Sequence, residues 1–404
     1  MNQPLALFEA VGIEIEYMIV SQQGLNVLPV TDQLLHQAAG SYVNETQQGP
    51  LAWSNELALH VVELKTNGPA KGLTSQLAEH FHQHVQQINR MLDDLNGQLL
   101  PTAMHPWMDP DTETRLWPHE YNPIYEAYDR IFDCRGHGWS NLQSMHINLP
   151  FANDEEFTRL HDAIRLLLPL LPSIAASSPY AGQRYQGMMD YRLEVYRHNA
   201  DRIPSITGHI IPEHVVGAEA YLQTILQPMY RDIAPLDPQG ILQEEWLNSR
   251  GAIARFDRNA IEIRVLDCQE CPQADIAIAD AIVSVLRTLT TRGLPPIEEG
   301  RLSKTFLDCA RHGDQTRIDD GTYLRALGLA HTHAGTAADI WSRLLDQFGA
   351  MQKPHGKIIE RILANGCLAR RLYQTLGDQP DRDTLHRVYG DLTDYLDAGE
   401  LYIE

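Results

Sequence analysis

Apolar and polar residues alternate with a period of two in three short stretches of the chain. From Gly12 to Val20, Ile13, Ile15, Tyr17 and Ile19 fall on one side and Glu14, Glu16, Met18 and Val20 on the other, which predicts a strand. Residues 57–64 read as a second strand running into the turn Thr66-Asn67-Gly68-Pro69. Residues 144–149 and 260–267 alternate in the same way. Helical spacing takes over elsewhere. Leu77, Phe81, Val85, Ile88, Leu92 and Leu95 recur every three or four residues and predict a helix over 75–95. A second helix is expected over 154–171, capped by Asn153. A third, over 274–292, is expected to stop at Gly293 and Pro295-Pro296. Beyond about residue 300 the pattern is almost entirely helical. This order predicts an α+β protein with an antiparallel or mixed sheet and flanking helices. Residues 1–295 would form the sheet domain, with 296–404 a helical C-terminal region packed on it.

Composition narrows the classes of function. The 404 residues are 43% hydrophobic and 21% charged, with a formal net charge of −21. A chain of that size and apolar content can bury a large core. Its negative field repels nucleic-acid backbones and anionic lipid, so neither is expected as a partner. No apolar run reaches 18 residues: the best one, 164–176, is broken by Arg165, Pro169 and Pro172. The N-terminus has no basic leader, and the five cysteines are too few and odd in number for a disulfide framework. The expectation is a cytoplasmic globular protein acting on small molecules, with homo-oligomerisation left open.

The polar faces of the strands carry the candidate chemistry. Glu14 and Glu16 project from one face with Cα atoms about 6–7 Å apart, at ~3.3 Å rise per residue. Glu262 and Arg264 share a face in Ile-Glu-Ile-Arg-Val, and His146 stands between Ser144 and Asn148 on the polar side of its strand. Glu56 and Glu63 bracket an apolar segment, and their odd spacing requires a bend before both can reach one place. One Glu-x-Glu is ordinary solvated surface; several strands with the same anomaly point to a shared site. Were these faces to converge, the carboxylates would repel one another unless divalent cations sat among them. An oxygen-rich set with one imidazole and no thiolate suits Mg²⁺ or Mn²⁺.

Gly-Ile-Glu-Ile-Glu-Tyr at 12–17 resembles the opening motif of the glutamate–cysteine ligase-like carboxylate–amine ligases. So do Val62-Glu63-Leu64-Lys65-Thr66, Met145-His146-Ile147-Asn148, Ser178-Pro179-Tyr180 and Ile261-Glu262-Ile263-Arg264-Val265-Leu266-Asp267. They fall in the family's order over about residues 9–292. The resemblance implies a glutamine synthetase-like fold, a curved sheet forming a funnel that ATP enters from one end. It also implies that a carboxylate, usually the γ-carboxylate of glutamate, is phosphorylated and then attacked by an amine. Carried over by position, Glu14, Glu16, Glu56, Glu63, His146 and Glu262 would hold the metal. Arg264 would grip the transferring phosphate or the substrate carboxylate.

Tyr191 and Arg192 follow a loop rich in glycine and aromatic residues and are candidate substrate contacts, because a guanidinium pairs with carboxylate through two bonds. His105 and Arg115 could line the same mouth or simply pack a loop. Cys268-x-x-Cys271 is one pair without a second, half of a zinc site. His80 and His84 share a helix face that is more simply solvated surface. Neither a Gly-x-x-x-x-Gly-Lys loop nor a Gly-x-Gly-x-x-Gly fingerprint occurs, so ATP would need metal and arginine. Two rival functions remain: a guanidino-type phosphotransferase on the same sheet architecture, and a non-catalytic relative that keeps a metal or nucleotide.

Overall fold

The computed structural model describes residues 4–349, 351 and 354–403. Its centre is an eight-stranded sheet built from β1 (Gly12–Ser21), β2 (Glu45–Gln48), β3 (Leu51–Asn55), β4 (Val61–Thr66), β5 (Gly97–Leu100) and β6 (Ser144–Pro150), completed later in the chain. A two-residue hairpin, β7 (Tyr180–Ala181) and β8 (Arg184–Tyr185), follows, and then the last sheet strands, β9 (Ala252–Arg255) and β10 (Ala260–Asp267). The order is β2-β3-β4-β1-β6-β10-β9, with β5 also paired to β1. Every pairing in the sheet is antiparallel, so the expected α+β class holds and the sheet is not mixed.

The alternation of β1 decides which side is core. Ile13, Ile15, Tyr17 and Ile19 are fully buried. They share one cluster with Phe81, Val85 and Ile88 of the helix Ser75–Leu92 and with Ile278 and Ile282 of the helix Pro272–Leu289. The same cluster takes in Leu302, Phe306, Tyr323 and Trp341 from the C-terminal half. Trp341 Nε1 donates to Leu170 O at 3.2 Å, and Tyr323 Oη to Leu166 O at 2.9 Å. Hydrophobic burial and satisfied polar tips thus bind the later helices to the sheet.

Several expectations need correction. The segment 57–64 is not one strand: residues 57–60 form a turn and β4 begins at Val61. The helix over 154–171 stops at Leu167, where Pro169, lacking an amide hydrogen, sits in a short 3₁₀ turn before the helix Leu171–Ala175. The Asn153 cap is present, accepting from the Glu156 amide at 3.0 Å. The C-terminal region is mostly helical but includes a small pair, β11 (Arg317–Ile318) and β12 (Gly335–Thr336). Strands β3 and β9 are buried on both faces, which removes the alternation by which strands are recognised.

Candidate functional site

Strand register assembles the acidic residues. Glu16 lies opposite Glu63, Glu14 opposite both Lys65 and His146, and Glu262 opposite Asn148. Residues directly opposed in a sheet share a face, so β4, β1, β6 and β10 deliver their polar side chains to one surface. Glu56 arrives by a different route. The turn after β3 supplies the bend that its spacing from Glu63 requires. Two groups result, Glu14–Glu63–His146 and Glu16–Glu56–Glu63, each with ligand atoms within 4.8 Å of one another.

Hydrogen bonds fix these groups. Glu16 Oε2 accepts from the Ser144 amide at 2.7 Å and from Ser144 Oγ at 3.0 Å. Ser144 Oγ also meets His146 Nε2 at 2.9 Å, while His146 Nδ1 lies 3.0 Å from Glu14 Oε2. Asn148 Nδ2 donates to Glu14 Oε1 at 3.1 Å. Glu262 sits between cations: Arg264 Nε at 3.1 Å, Arg255 Nη1 at 3.3 Å and His146 Nδ1 at 3.6 Å.

Protonation follows from this packing. Burial, then the charges of Glu16 and Glu63, push the Glu56 carboxyl well above the usual range. Burial also raises Glu16, more than His146 and Ser144 lower it. Burial acts the same way on Glu14 and Glu262, but there the partners win: His146 lowers Glu14, and Arg264 with His146 and Arg255 lowers Glu262. Burial disfavours the His146 cation, yet Glu14, Glu262 and Glu16 outweigh it and raise its pKa. Glu16 and Glu56, raised by burial and by neighbouring carboxylates, mark the part of the wall where negative charge is least compensated. The donor chemistry therefore fits a hard divalent ion.

These groups open on a cavity of about 480 Å³, whose wall includes Glu16, Glu56, Ser144, His146, Arg192 and Arg264. Strand β10 carries a bulge between Ile263 and Leu266. One extra residue reverses the alternation, so Asp267, opposite Ser144, turns to the polar side. There its Oδ1 receives Arg192 Nε at 2.5 Å, and its Oδ2 receives Ser178 Oγ and the Ser177 amide at 2.7 and 2.8 Å. Arg192 is 1% exposed, a cation fixed in the cavity wall by a buried carboxylate. Arg264 is anchored by Glu262 and donates Nη1 to Asn248 O at 3.2 Å.

Of the residues singled out from the sequence, Glu14, Glu16, Glu56, Glu63, His146, Glu262, Arg264 and Arg192 gather here. Tyr191 begins the helix Tyr191–Tyr196 and lies outside the cavity lining. His105 is buried away from it, with Nε2 2.6 Å from Leu25 O, and Arg115 bonds backbone carbonyls of its own loop. His84 accepts from Trp53 Nε1 at 2.9 Å. Cys268 and Cys271 are buried free thiols, held well above the ordinary thiol range by burial.

Sequence reasoning missed the aromatic part of the cavity wall: Tyr121, Tyr125, Tyr128, Trp139, Tyr196 and Trp246. Tyr121, Tyr125, Tyr128 and Phe132 stand at helical spacing, a one-sided aromatic stripe that was legible. Arg255 as a partner of Glu262 was not, because it depends on the β9–β10 register.

The sequence pattern described as glutamate-cysteine ligase family 2 (GCS2) matches residues 10–389. An uncharacterized protein of Archaeoglobus fulgidus is 36% identical over 278 residues, 69% of this chain and 74% of that one. In fold, the chain is similar to a glutamate–cysteine ligase of Francisella tularensis solved in complex with AMP. The TM-score is 0.64 at 14% identity, covering 95% of this chain and 88% of that one. It is also similar to a bifunctional glutathione synthetase of Pasteurella multocida, with TM-score 0.61 and 14% identity, covering 96% of this chain and 53% of that one. Among the described residues, no helix is long and apolar enough to cross a membrane.

Proposed function

Because the chain belongs to glutamate-cysteine ligase family 2, a family of ATP-dependent C–N ligases, we propose that it joins the γ-carboxylate of glutamate or a similar amino acid to an amine. The γ-phosphoryl group of ATP passes to a carboxylate oxygen, giving an acyl phosphate and ADP. The amine nitrogen then attacks the acyl carbon, phosphate departs, and the nitrogen loses a proton to leave an amide.

One observation carries this reading: Glu16, Glu56 and His146, drawn from two carboxylate groups that share Glu63, line a cavity that also presents two anchored arginines. Glu16, Glu56 and Glu63, with Glu14, His146 and Glu262 around them, would hold Mg²⁺ or Mn²⁺. When bound, such an ion neutralises charge on the phosphate's non-bridging oxygens. Arg264 faces the cavity in a fixed orientation and stabilises negative charge there without reorganising. Arg192, held through Nε by Asp267 and through long Nη bonds of 3.4 and 3.5 Å by Arg264 O, would turn its remaining N–H donors to a substrate carboxylate.

The test is ADP release screened over amino acids paired with amines, with the product identified by mass spectrometry. ADP and phosphate should appear only when a carboxylate and an amine are both present. Excess EDTA should abolish turnover, and Mg²⁺ or Mn²⁺ should restore it. A phosphorylated guanidine as product would replace this reading with a kinase, and turnover that persists in EDTA would remove the metal from it.

A further inference from the structure

The acidic centre contains a positive charge of its own. Lys65 lies opposite Glu14 in the β1–β4 register. Its Nζ is 2.8 Å from Glu45 Oε2 and 3.0 Å from Glu63 Oε2. Glu63 Oε2 also accepts from Ser54 Oγ at 2.5 Å. Two donors on one carboxylate oxygen leave only Oε1 of Glu63 for any further partner. Yet Glu63 is the residue common to both carboxylate groups. It cannot offer one oxygen to each of two ions while Lys65 and Ser54 hold the other.

The two groups also differ in what remains uncommitted. In Glu14–Glu63–His146, both Glu14 oxygens are engaged, by Asn148 and His146, and both His146 nitrogens, by Glu14 and Ser144. In Glu16–Glu56–Glu63, Ser144 engages only Oε2 of Glu16, and among the described residues no side chain bonds the Glu56 carboxylate. Glu16 and Glu56 line the cavity.

We propose that Lys65 is a resident cation that replaces one divalent ion in the acidic centre. The ammonium, with His146, satisfies the Glu14–Glu63–His146 group. The protein's own carboxylates then hold a single divalent ion, at Glu16–Glu56–Glu63. This rests on the reading that the acidic centre binds divalent cations. Lys65 is a positioning residue here: it sets how many ions the centre takes and which oxygen of Glu63 is free.

The experiment counts Mn²⁺ bound to nucleotide-free protein, by titration followed with electron paramagnetic resonance. Wild type should bind one ion per chain. Lys65→Met, which removes the charge at similar length, should bind two. Lys65→Arg, which keeps the charge, should bind one. An unchanged count in a Lys65→Met protein with a cooperative melt overturns the proposal and leaves the metal reading standing. No Mn²⁺ on any of the three proteins overturns both. Should Lys65→Met not fold, the Mn²⁺ anomalous signal in crystals of the wild-type protein decides: one peak, beside Glu16, Glu56 and Glu63, supports the proposal, and a second beside Glu14 and His146 overturns it.

Discussion

One face of β1 has two fates. At its first half Glu14 and Glu16 belong to the acidic centre, and Glu16 borders the cavity. Two and four residues beyond Glu16, Met18 and Val20 are buried at 1% and 0% exposure, in a cluster with Leu368 and Leu372 of one C-terminal helix and Leu385, Val388 and Leu392 of another. Backbone geometry is the same along the strand, so the alternation alone does not say which end does chemistry. What covers each end decides. Helices seal the apolar end, and its side chains contribute by burial. The acidic end meets a cavity, and among the described residues the charge crowding there is relieved by Lys65, His146 and the arginines.

The sharpest way to break this comparison is on the acidic side. Arg264→Lys keeps the charge but loses the planar fork, and kcat should fall about 10² to 10³-fold with the fold intact. Near-wild-type turnover with a lowered melting temperature would make Arg264 only a structural partner of Glu262.

On the apolar side the expectation is reversed. Met18→Ala should lose about 2–5 kcal/mol of stability, the usual range for a truncated core methionine, while kcat per folded molecule stays unchanged. Denaturant unfolding and kinetics on one preparation check this. A selective loss of kcat would mean that the sealed end also serves the site.

The smallest expected effect is a pH dependence. Burial and the charges of Glu16 and Glu63 raise Glu56 well above its ordinary value of 4.5. A carboxyl raised on folding favours the folded state when neutral; that contribution is full below pH 4.5 and is lost as pH rises through the raised value. Glu56→Gln should therefore raise the melting temperature of metal-free protein at pH 7 by about 1–4 °C. The difference should close toward pH 4.5. A gap that widens on acidification would mean that ionised Glu56 is stabilised in the fold.

Much of the acidic end was legible because strand alternation is a local property. Glu14, Glu16, His146 and Glu262 could each be placed on a polar face from their neighbours alone. Glu56 could only be placed conditionally: the apolar run after it hid the turn at residues 57–60 that brings it beside Glu63. Lys65 stood in plain view, yet its pairing with Glu63 and Glu45 depends on partners across strands. Asp267 needed the bulge in β10, which no periodicity reveals. The apolar end escaped for a similar reason: Met18 and Val20 read as part of the polar face, and the helices that seal them lie more than three hundred residues away.

Titration calorimetry of Mn²⁺ into nucleotide-free wild-type, Glu16→Gln and Met18→Ala proteins tests the division of β1 most directly. Glu16→Gln removes one anionic ligand at constant volume and should weaken Mn²⁺ binding at least about tenfold, while Met18→Ala should bind as wild type does. Equal affinity in Glu16→Gln and wild type would contradict the assignment of the acidic end as a cation site.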